Sequence, residues 1–283
     1  MTVRPPDNLC AVLLAAGEGR RLMPLTALRP KPLCPVGGTS LLERALDRLA
    51  AVGLSGPDAV AVNACHLAEQ VVTAVGDRAR LSVEAPPPLD TGGGVARLRD
   101  WTDGRDVLVC NADGYLSPGP DALRLLLSGW DRERPRLLVV DAPGRGDFVD
   151  PTARGDAPPT RTLRFAGASL APRSLVAELP VGPSALSTAW RRAEAADRLD
   201  LVPFDGVFVD CGTVDDYLAA NLHASDGRSV VGTGATVVGR LTRSVVWPGA
   251  TVTEGEHLVD SVRAVLPDGS PLTVRATAGT AGR

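Results

Sequence analysis

Of the 30 lysines and arginines in the chain, only Lys31 is a lysine. Arginine replaces lysine readily at solvated positions but not where a compact ammonium is needed, so a lone lysine is a candidate chemical group. Lys31 lies between Pro30 and Pro32 in the stretch LLAAGEGRRLMPLTALRPKPLCPVGG, residues 13–38. Upstream in that stretch, Ala15, Ala16, Gly17, Glu18 and Gly19 form a turn with little side-chain cover, open to an anion or a base edge. Arg20, Arg21 and Lys31 add positive charge around it. Gly17 and Gly19 make the first half of a dinucleotide fingerprint, but Leu22 stands where a third small residue is needed. Pro24, Pro30, Pro32 and Pro35 also forbid the helix that would hold a pyrophosphate. No GKS or GKT follows, which excludes a P-loop. What remains is a proline-stiffened basic loop suited to cradling a triphosphate.

Two acids follow apolar runs. Asp113 comes just after Val107–Cys110, and Asp210 closes Gly206–Val209. In an open α/β sheet both would sit at carboxyl ends of strands, where ligands bind. Two such carboxylates can hold Mg²⁺ together with phosphate oxygens, and each can equally cap a following turn or helix. Other chemistries find less support. The histidines, His66, His223 and His257, are not spaced as ligands, and the five cysteines contain no CxxC, so buried, reduced thiols are expected. Trp101, Trp130, Trp190 and Trp247 are too dispersed for a base-stacking platform.

The elements that position these residues alternate. Strands are expected at Leu9–Ala15, Ala59–Val62, Leu81–Val83, Val107–Cys110, Leu137–Val140, Thr162–Leu170 and Gly206–Asp210. Helices are expected after the Ser40 and Glu43 capping box, over Leu67–Val75, Asp121–Leu127 and Ser184–Arg198, and after Thr213 with Asp216. The alternation predicts an α/β domain with a largely parallel sheet and helices on both faces. Pro143–Thr160 reads as a long surface excursion. After Ser229, valines and Leu258 recur at six-residue steps with interleaved glycines, the pattern of a small parallel β-helix. Too few coils are present to bury their own faces, so docking on the main domain or a second subunit is expected, contributing stability rather than chemistry. The divisions are a catalytic domain over 1–228, a β-helix segment over 229–270 and a tail over 271–283.

With 283 residues and a net charge of −3, the chain has no basic cluster to attract nucleic acid or anionic lipid. No apolar run reaches the length of a membrane span, and the start lacks a secretory pattern, so a cytoplasmic address is expected.

LAAGEGRRLMPLT followed by RPKPLCPVGG closely resembles the signature of the sugar-1-phosphate nucleotidyltransferases. The resemblance continues through VNACHLAEQV, LDTGGG, VLVCNAD, FAGASL and VFVDCGT, and so covers most of residues 9–222. HLAEQV and LDTGGG look most like N-acetylmuramate 1-phosphate uridylyltransferases, and SVVWPGATV resembles the β-helix appendage of many members. The resemblance implies a Rossmann-like, mostly parallel mixed sheet flanked by helices, with a short C-terminal left-handed parallel β-helix. It implies a Mg²⁺-dependent transfer of a nucleotidyl group, UTP favoured, to a sugar 1-phosphate.

By the same resemblance, the backbone of Leu14, Ala15, Gly17, Glu18 and Gly19 holds the nucleotide together with Glu84, Thr91 and Gly92. Glu84 and Gly92 would lie nearest the base edge, although Glu84 also reads as a solvated strand end. Arg20 would bind the β and γ phosphates, Lys31 would neutralise charge at the α-phosphorus, Asp113 and Asp210 would hold the metal, and Asn111 and Gly167 would line the sugar. The chain departs from its relatives in Ala112, where many have glycine, in Pro86–Pro88 before LDTGGG, and in having no second lysine for the sugar phosphate. A guanylyl- or thymidylyl-specific enzyme and a non-catalytic nucleotide sensor are the alternatives.

Overall fold

The computed structural model describes residues 7–144, 146–149 and 161–277; most of the Pro143–Thr160 excursion and the end of the tail lie outside the described residues. The first apolar run forms β1 (Leu9–Leu14), buried along most of its length as a central parallel strand should be. The proline-rich loop after it carries only short helical turns, among them α1 (Leu25–Leu28), because its prolines lack the N–H donors of a longer helix. The hairpin β2 (Pro35–Val36) and β3 (Thr39–Ser40) follows. Ser40 Oγ accepts the Glu43 N–H at 3.1 Å and starts α2 (Leu41–Ala50).

Alternation then continues through β4 (Val60–Ala64), α3 (Ala68–Val75), β5 (Arg80–Val83), α4 (Asp90–Arg97), α5 (Arg99–Thr102) and β6 (Asp106–Asn111). Next come β7 (Tyr115–Ser117), α6 (Gly119–Leu127), β8 (Arg136–Asp141), β9 (Phe148–Val149) and β10 (Thr162–Ala171). The stretch closes with α7 (Arg173–Glu178), α8 (Leu186–Ala195), β11 (Asp200–Pro203) and β12 (Val207–Val209). Thr213 Oγ1 caps α9 (Val214–Ala224) by accepting the Asp216 N–H at 3.1 Å.

The chain divides into two compact units. The first comprises the residues up to Gly17, Ala45–Ala112 and Leu116–Phe208. Its sheet has the order β11-β8-β10-β6-β1-β4-β5, with β9 paired to β10. Every pairing along that path is parallel except those of β10, which runs antiparallel to both β6 and β8. The expected mostly parallel mixed sheet is therefore present. One core gathers Val12, Val109, Leu137, Val95, Leu186 and Trp190. Each such side chain, fully buried, contributes about 1.5–3 kcal/mol.

The second unit comprises Glu18–Arg44, Asp113–Tyr115 and the chain from Val209 onward. Its C-terminal part coils through β13 (Val230–Val231), β14 (Thr236–Val237), β15 (Arg240–Thr242), β16 (Val245–Val246), β17 (Thr251–Val252), β18 (His257–Val259) and β19 (Ser261–Val265). Parallel pairing of Val231 with Val246, Thr236 with Thr251 and Leu241 with Leu258 stacks one three-sided coil on the next. Val246, Ala250, Val252 and Leu258 fill the interior. Residues expected to be tail form β20 (Pro271–Arg275), which covers β19 in antiparallel pairing and ends the stack. Among the described residues, no helix is long and apolar enough to cross a membrane. All five cysteines are buried.

Candidate active site

In the second unit, the basic loop folds so that Lys31 points inward. Gly19 adopts φ +63°, and a Cβ there would press on Thr26 Cγ2 at 2.8 Å and Lys31 Cβ at 3.3 Å. Only glycine lets the turn close that tightly in this backbone region. Thr26 Oγ1 donates to the Gly19 carbonyl at 2.9 Å and fixes the closure. The Lys31 side chain is 5% exposed, and its Nζ lies 3.0 Å from Asp113 Oδ2 and 3.3 Å from Asp210 Oδ1. The acids arrive from either side of a strand pair: β12 pairs with β7, Asp210 follows β12, and Asp113 precedes β7 by two residues. Gly212 has no side chain to strike Asp210 Oδ2, which a Cβ would meet at 2.6 Å.

The electrostatics of this group are mutual. Burial works against the Lys31 ammonium, but Asp113 and Asp210 outweigh it and hold its pKa above the ordinary lysine value. Burial likewise opposes the Asp210 carboxylate, while Lys31 and Arg21 hold its pKa below the usual range. Cys211, adjacent in sequence, is pushed up to about 12 by burial and stays a thiol near neutral pH.

Arg21, which the sequence marks only as positive charge around the turn, joins this cluster. Its Nη2 donates to Asp210 Oδ2 at 2.9 Å. Arg20, expected on the phosphates, pairs with Glu18, and its side chain is 84% exposed. Adjacent arginines in a turn point in different directions, and nothing in their order says which one meets the acid.

The first unit brings the expected base-side residues onto one network, centred on a residue the sequence did not mark. Asn63, at the carboxyl end of β4, accepts the Ala15 N–H through Oδ1 at 2.7 Å and donates through Nδ2 to Glu84 Oε1 at 2.7 Å. Glu84 Oε2 accepts the Leu89 N–H at 2.9 Å. Asn63 and Glu84 are both buried, so the reading of Glu84 as a solvated strand end does not hold. The LDTGGG run forms α4 although three helical glycines each cost about 1 kcal/mol relative to alanine.

Close packing explains the glycines. A Cβ on Gly92 would meet the Ser184 carbonyl at 2.9 Å, one on Gly93 the Gly182 carbonyl at 2.3 Å, and one on Gly94 Asn63 Nδ2 at 2.6 Å. The Gly92 N–H, expected near the base edge, donates to the Ser184 carbonyl at 2.7 Å. Thr91 Oγ1 accepts the Leu186 N–H at 2.9 Å. Gly17 has open space where a Cβ would be.

The expected sugar-side pair also lies together in the first unit. A register shift in β10 between Phe165 and Ser169 contains Gly167 at φ +75°. A Cβ on Gly167 would lie 3.0 Å from the Phe208 ring and 3.6 Å from Asn111 Cβ. Ala112 is fully buried, and its N–H donates to the Leu14 carbonyl at 3.1 Å.

Among the described residues, no group of three or more His, Cys, Asp or Glu could hold a metal by itself. Asp113 and Asp210 nonetheless converge on one cationic nitrogen, and carboxylate oxygens are the donors a hard dication takes. A cation held by these two would complete its shell with phosphate oxygens and water, so the donor set fits Mg²⁺.

Residues 11–183 match the family model of the MobA-like NTP transferase domain. The chain is 28% identical over 237 residues to an N-acetylmuramate alpha-1-phosphate uridylyltransferase of Caulobacter vibrioides, covering 76% of this chain and 97% of that protein. A protein of the same name from Neisseria meningitidis is 29% identical over 218 residues, covering 72% of this chain and 93% of its own length. Among solved structures, one described as a mannose-1-phosphate geranyltransferase from Thermus thermophilus shares the fold. It has a TM-score of 0.68 and 21% identity, over 94% of this chain and 95% of that one. With the signature loop, both strand-end acids and a family model matched over more than half its length, the chain belongs to the MobA-like NTP transferase family and is a nucleotidyltransferase of the sugar-1-phosphate class.

Proposed function

We propose that the protein transfers a uridylyl group from UTP to a sugar 1-phosphate, releasing pyrophosphate. The observation that carries this reading is the convergence of Asp113, Asp210 and the only lysine, Lys31, on one point. A phosphate oxygen of the sugar attacks the α-phosphorus, the bond from that phosphorus to the bridging oxygen of the β-phosphate breaks, and pyrophosphate leaves with the electron pair. No general base is needed, since a phosphate monoester is already anionic near neutral pH.

Lys31 supplies a compact positive charge for the α-phosphate as it becomes five-coordinate, an interaction worth most in a water-poor site. Asp113 and Asp210 hold Mg²⁺, which when bound supplies charge neutralisation worth on the order of several kcal/mol. Arg21 and Arg20 carry further positive charge for the leaving phosphates. In the first unit, the turn at Leu14, Ala15 and Gly17 takes the base, its shape held by the network of Asn63 and Glu84, and Asn111 with Gly167 lines the sugar.

The uridylyl preference rests on HLAEQV and LDTGGG and on the names of the two relatives, which also make N-acetylmuramate 1-phosphate the first sugar to try. Pyrophosphate release from UTP, GTP, dTTP, ATP and CTP, each against a panel of sugar 1-phosphates, tests the reading. UTP is expected to give the highest kcat/KM. Faster release from GTP or dTTP would overturn the base assignment, and no release from any pair would overturn the transfer itself.

A further inference from the structure

Lys31 sits in a loop gripped on one side by Trp247 of the β-helix segment and on the other by Tyr217 of α9, which the same tryptophan backs. On one side, the Arg29 guanidinium stacks on the Trp247 ring, 5.0 Å from its centroid. On the other, the Tyr217 hydroxyl donates to the Pro35 carbonyl, and Trp247 Nε1 donates to that same hydroxyl oxygen at 3.0 Å. Both grips therefore end on one indole. Trp247 follows β16 and is buried, and its own N–H donates to the Arg263 carbonyl of β19 at 2.8 Å, which locks it into the coil stack.

Tyr217 is fully buried on α9, one helical turn before Asn221, which accepts the Gly37 N–H at 3.0 Å. Helix α9 begins only four residues after Asp210. The same helix that follows the acid thus also fixes the far end of the lysine loop. A cation–π stack and two hydrogen bonds on buried groups are directional and strong enough to fix a loop rather than merely cover it.

We infer that Trp247 and Tyr217 are positioning residues for Lys31, and that the β-helix segment belongs to the catalytic apparatus by setting where the only ammonium sits. The inference rests on the role given to Lys31 above and departs from the expectation that the segment contributes stability alone. Pro30 and Pro32 stiffen the chain on either side of Lys31, so a displacement at Arg29 or Pro35 passes to the ammonium instead of being absorbed between. Transition-state stabilisation by a point charge depends steeply on its placement, whereas ground-state binding of a triphosphate is shared among several groups.

The chain's single lysine provides a readout free of any assumption about activity. Lysine-selective isotope labelling gives one side-chain signal, that of Lys31. Tyr217→Phe removes both hydrogen bonds and keeps the ring; Trp247→Phe removes the indole donor. Each is expected to shift the Lys31 signal, while Val252→Ala, which opens the β-helix interior and alters neither Trp247 nor Tyr217, leaves it in place. In turnover, Tyr217→Phe is expected to lower kcat about tenfold with triphosphate KM changed less than about twofold, and to cost less than about twofold when added to Lys31→Ala.

An unmoved Lys31 signal in both folded variants would overturn the inference, as would losses that multiply in full in the double variant. If the wild-type protein released no pyrophosphate with any substrate pair, the functional reading would fail while the labelled-lysine comparison still decided whether Trp247 and Tyr217 position Lys31.

Discussion

Around Lys31, two carboxylates and two cations meet within 3.3 Å and remain partly open to solvent, the Asp210 side chain being 39% exposed. Around Asn63, one buried carboxylate is satisfied by neutral amide donors, with Asn63 2% and Glu84 3% exposed. The two regions meet the cost of burying polar atoms by different means. Point charges can exchange one cationic partner for another as a substrate and metal arrive. Amide networks are directional and committed, so they hold shape instead. The first arrangement suits a place where charge moves, and the second suits a place where a planar group is measured against a fixed backbone.

Substitutions can break this contrast. Asp113→Asn and Asp210→Asn each remove an anion from the cluster while keeping its shape, and each is expected to lower kcat at least about a hundredfold, about 2.7 kcal/mol or more. Steady-state pyrophosphate release at saturating Mg²⁺ checks this, and near wild-type turnover in either variant removes that acid from the site. The amide network should respond in stability rather than in kcat. Asn63→Ala leaves the Ala15 N–H and Glu84 Oε1 without a buried partner, a cost of about 2–4 kcal/mol, read by urea denaturation. A loss below about 0.5 kcal/mol would show that the network is dispensable.

Lys31→Arg sharpens the comparison further, because it preserves charge and changes only compactness. Its kcat is expected to fall about ten- to a hundredfold, about 1.4–2.7 kcal/mol, with a smaller change in triphosphate KM. An unchanged kcat would reduce Lys31 to a structural ion-pair partner. A pure rise in KM would make it a ground-state binder.

The smallest effect is expected in the β-helix, where Arg263 donates to Glu256 and holds that carboxyl down at about 2 from an ordinary 4.5. A carboxylate with a depressed folded-state pKa contributes stability above its unfolded pKa and loses it as pH falls through the folded value. The Tm of Glu256→Gln should therefore lie slightly below that of the wild type at pH 7. The gap should close between about pH 4.5 and pH 2, and a gap independent of pH would place the effect in packing.

Much of the charged cluster was legible because its residues are rare or stand at marked positions. A single lysine among arginines, two prolines beside it, and aspartates just beyond two apolar runs are visible in one dimension. The same holds for the caps at Ser40 and Thr213, whose hydrogen bonds reach only three residues. Asn63 was not legible, since an asparagine at the end of a strand has no spacing or composition that sets it apart. LDTGGG showed its resemblance but not its helix: local propensity opposes α4, and only the approach of the 182–184 segment and of Asn63 makes glycine the residue that fits.

The sequence by itself determined the alternating α/β order, the coiled C-terminal segment, the basic loop and the two strand-end acids, because each depends on periodicity or on residues close together in the chain. The tertiary structure alone decided that Arg21 rather than Arg20 meets Asp210, that β10 runs antiparallel, and that Trp247 and Tyr217 grip the loop of Lys31. Those outcomes depend on contacts between residues 30 to nearly 220 positions apart. Such contacts are set by how buried surfaces and hydrogen-bond donors find partners in three dimensions, a choice that local residue order leaves open.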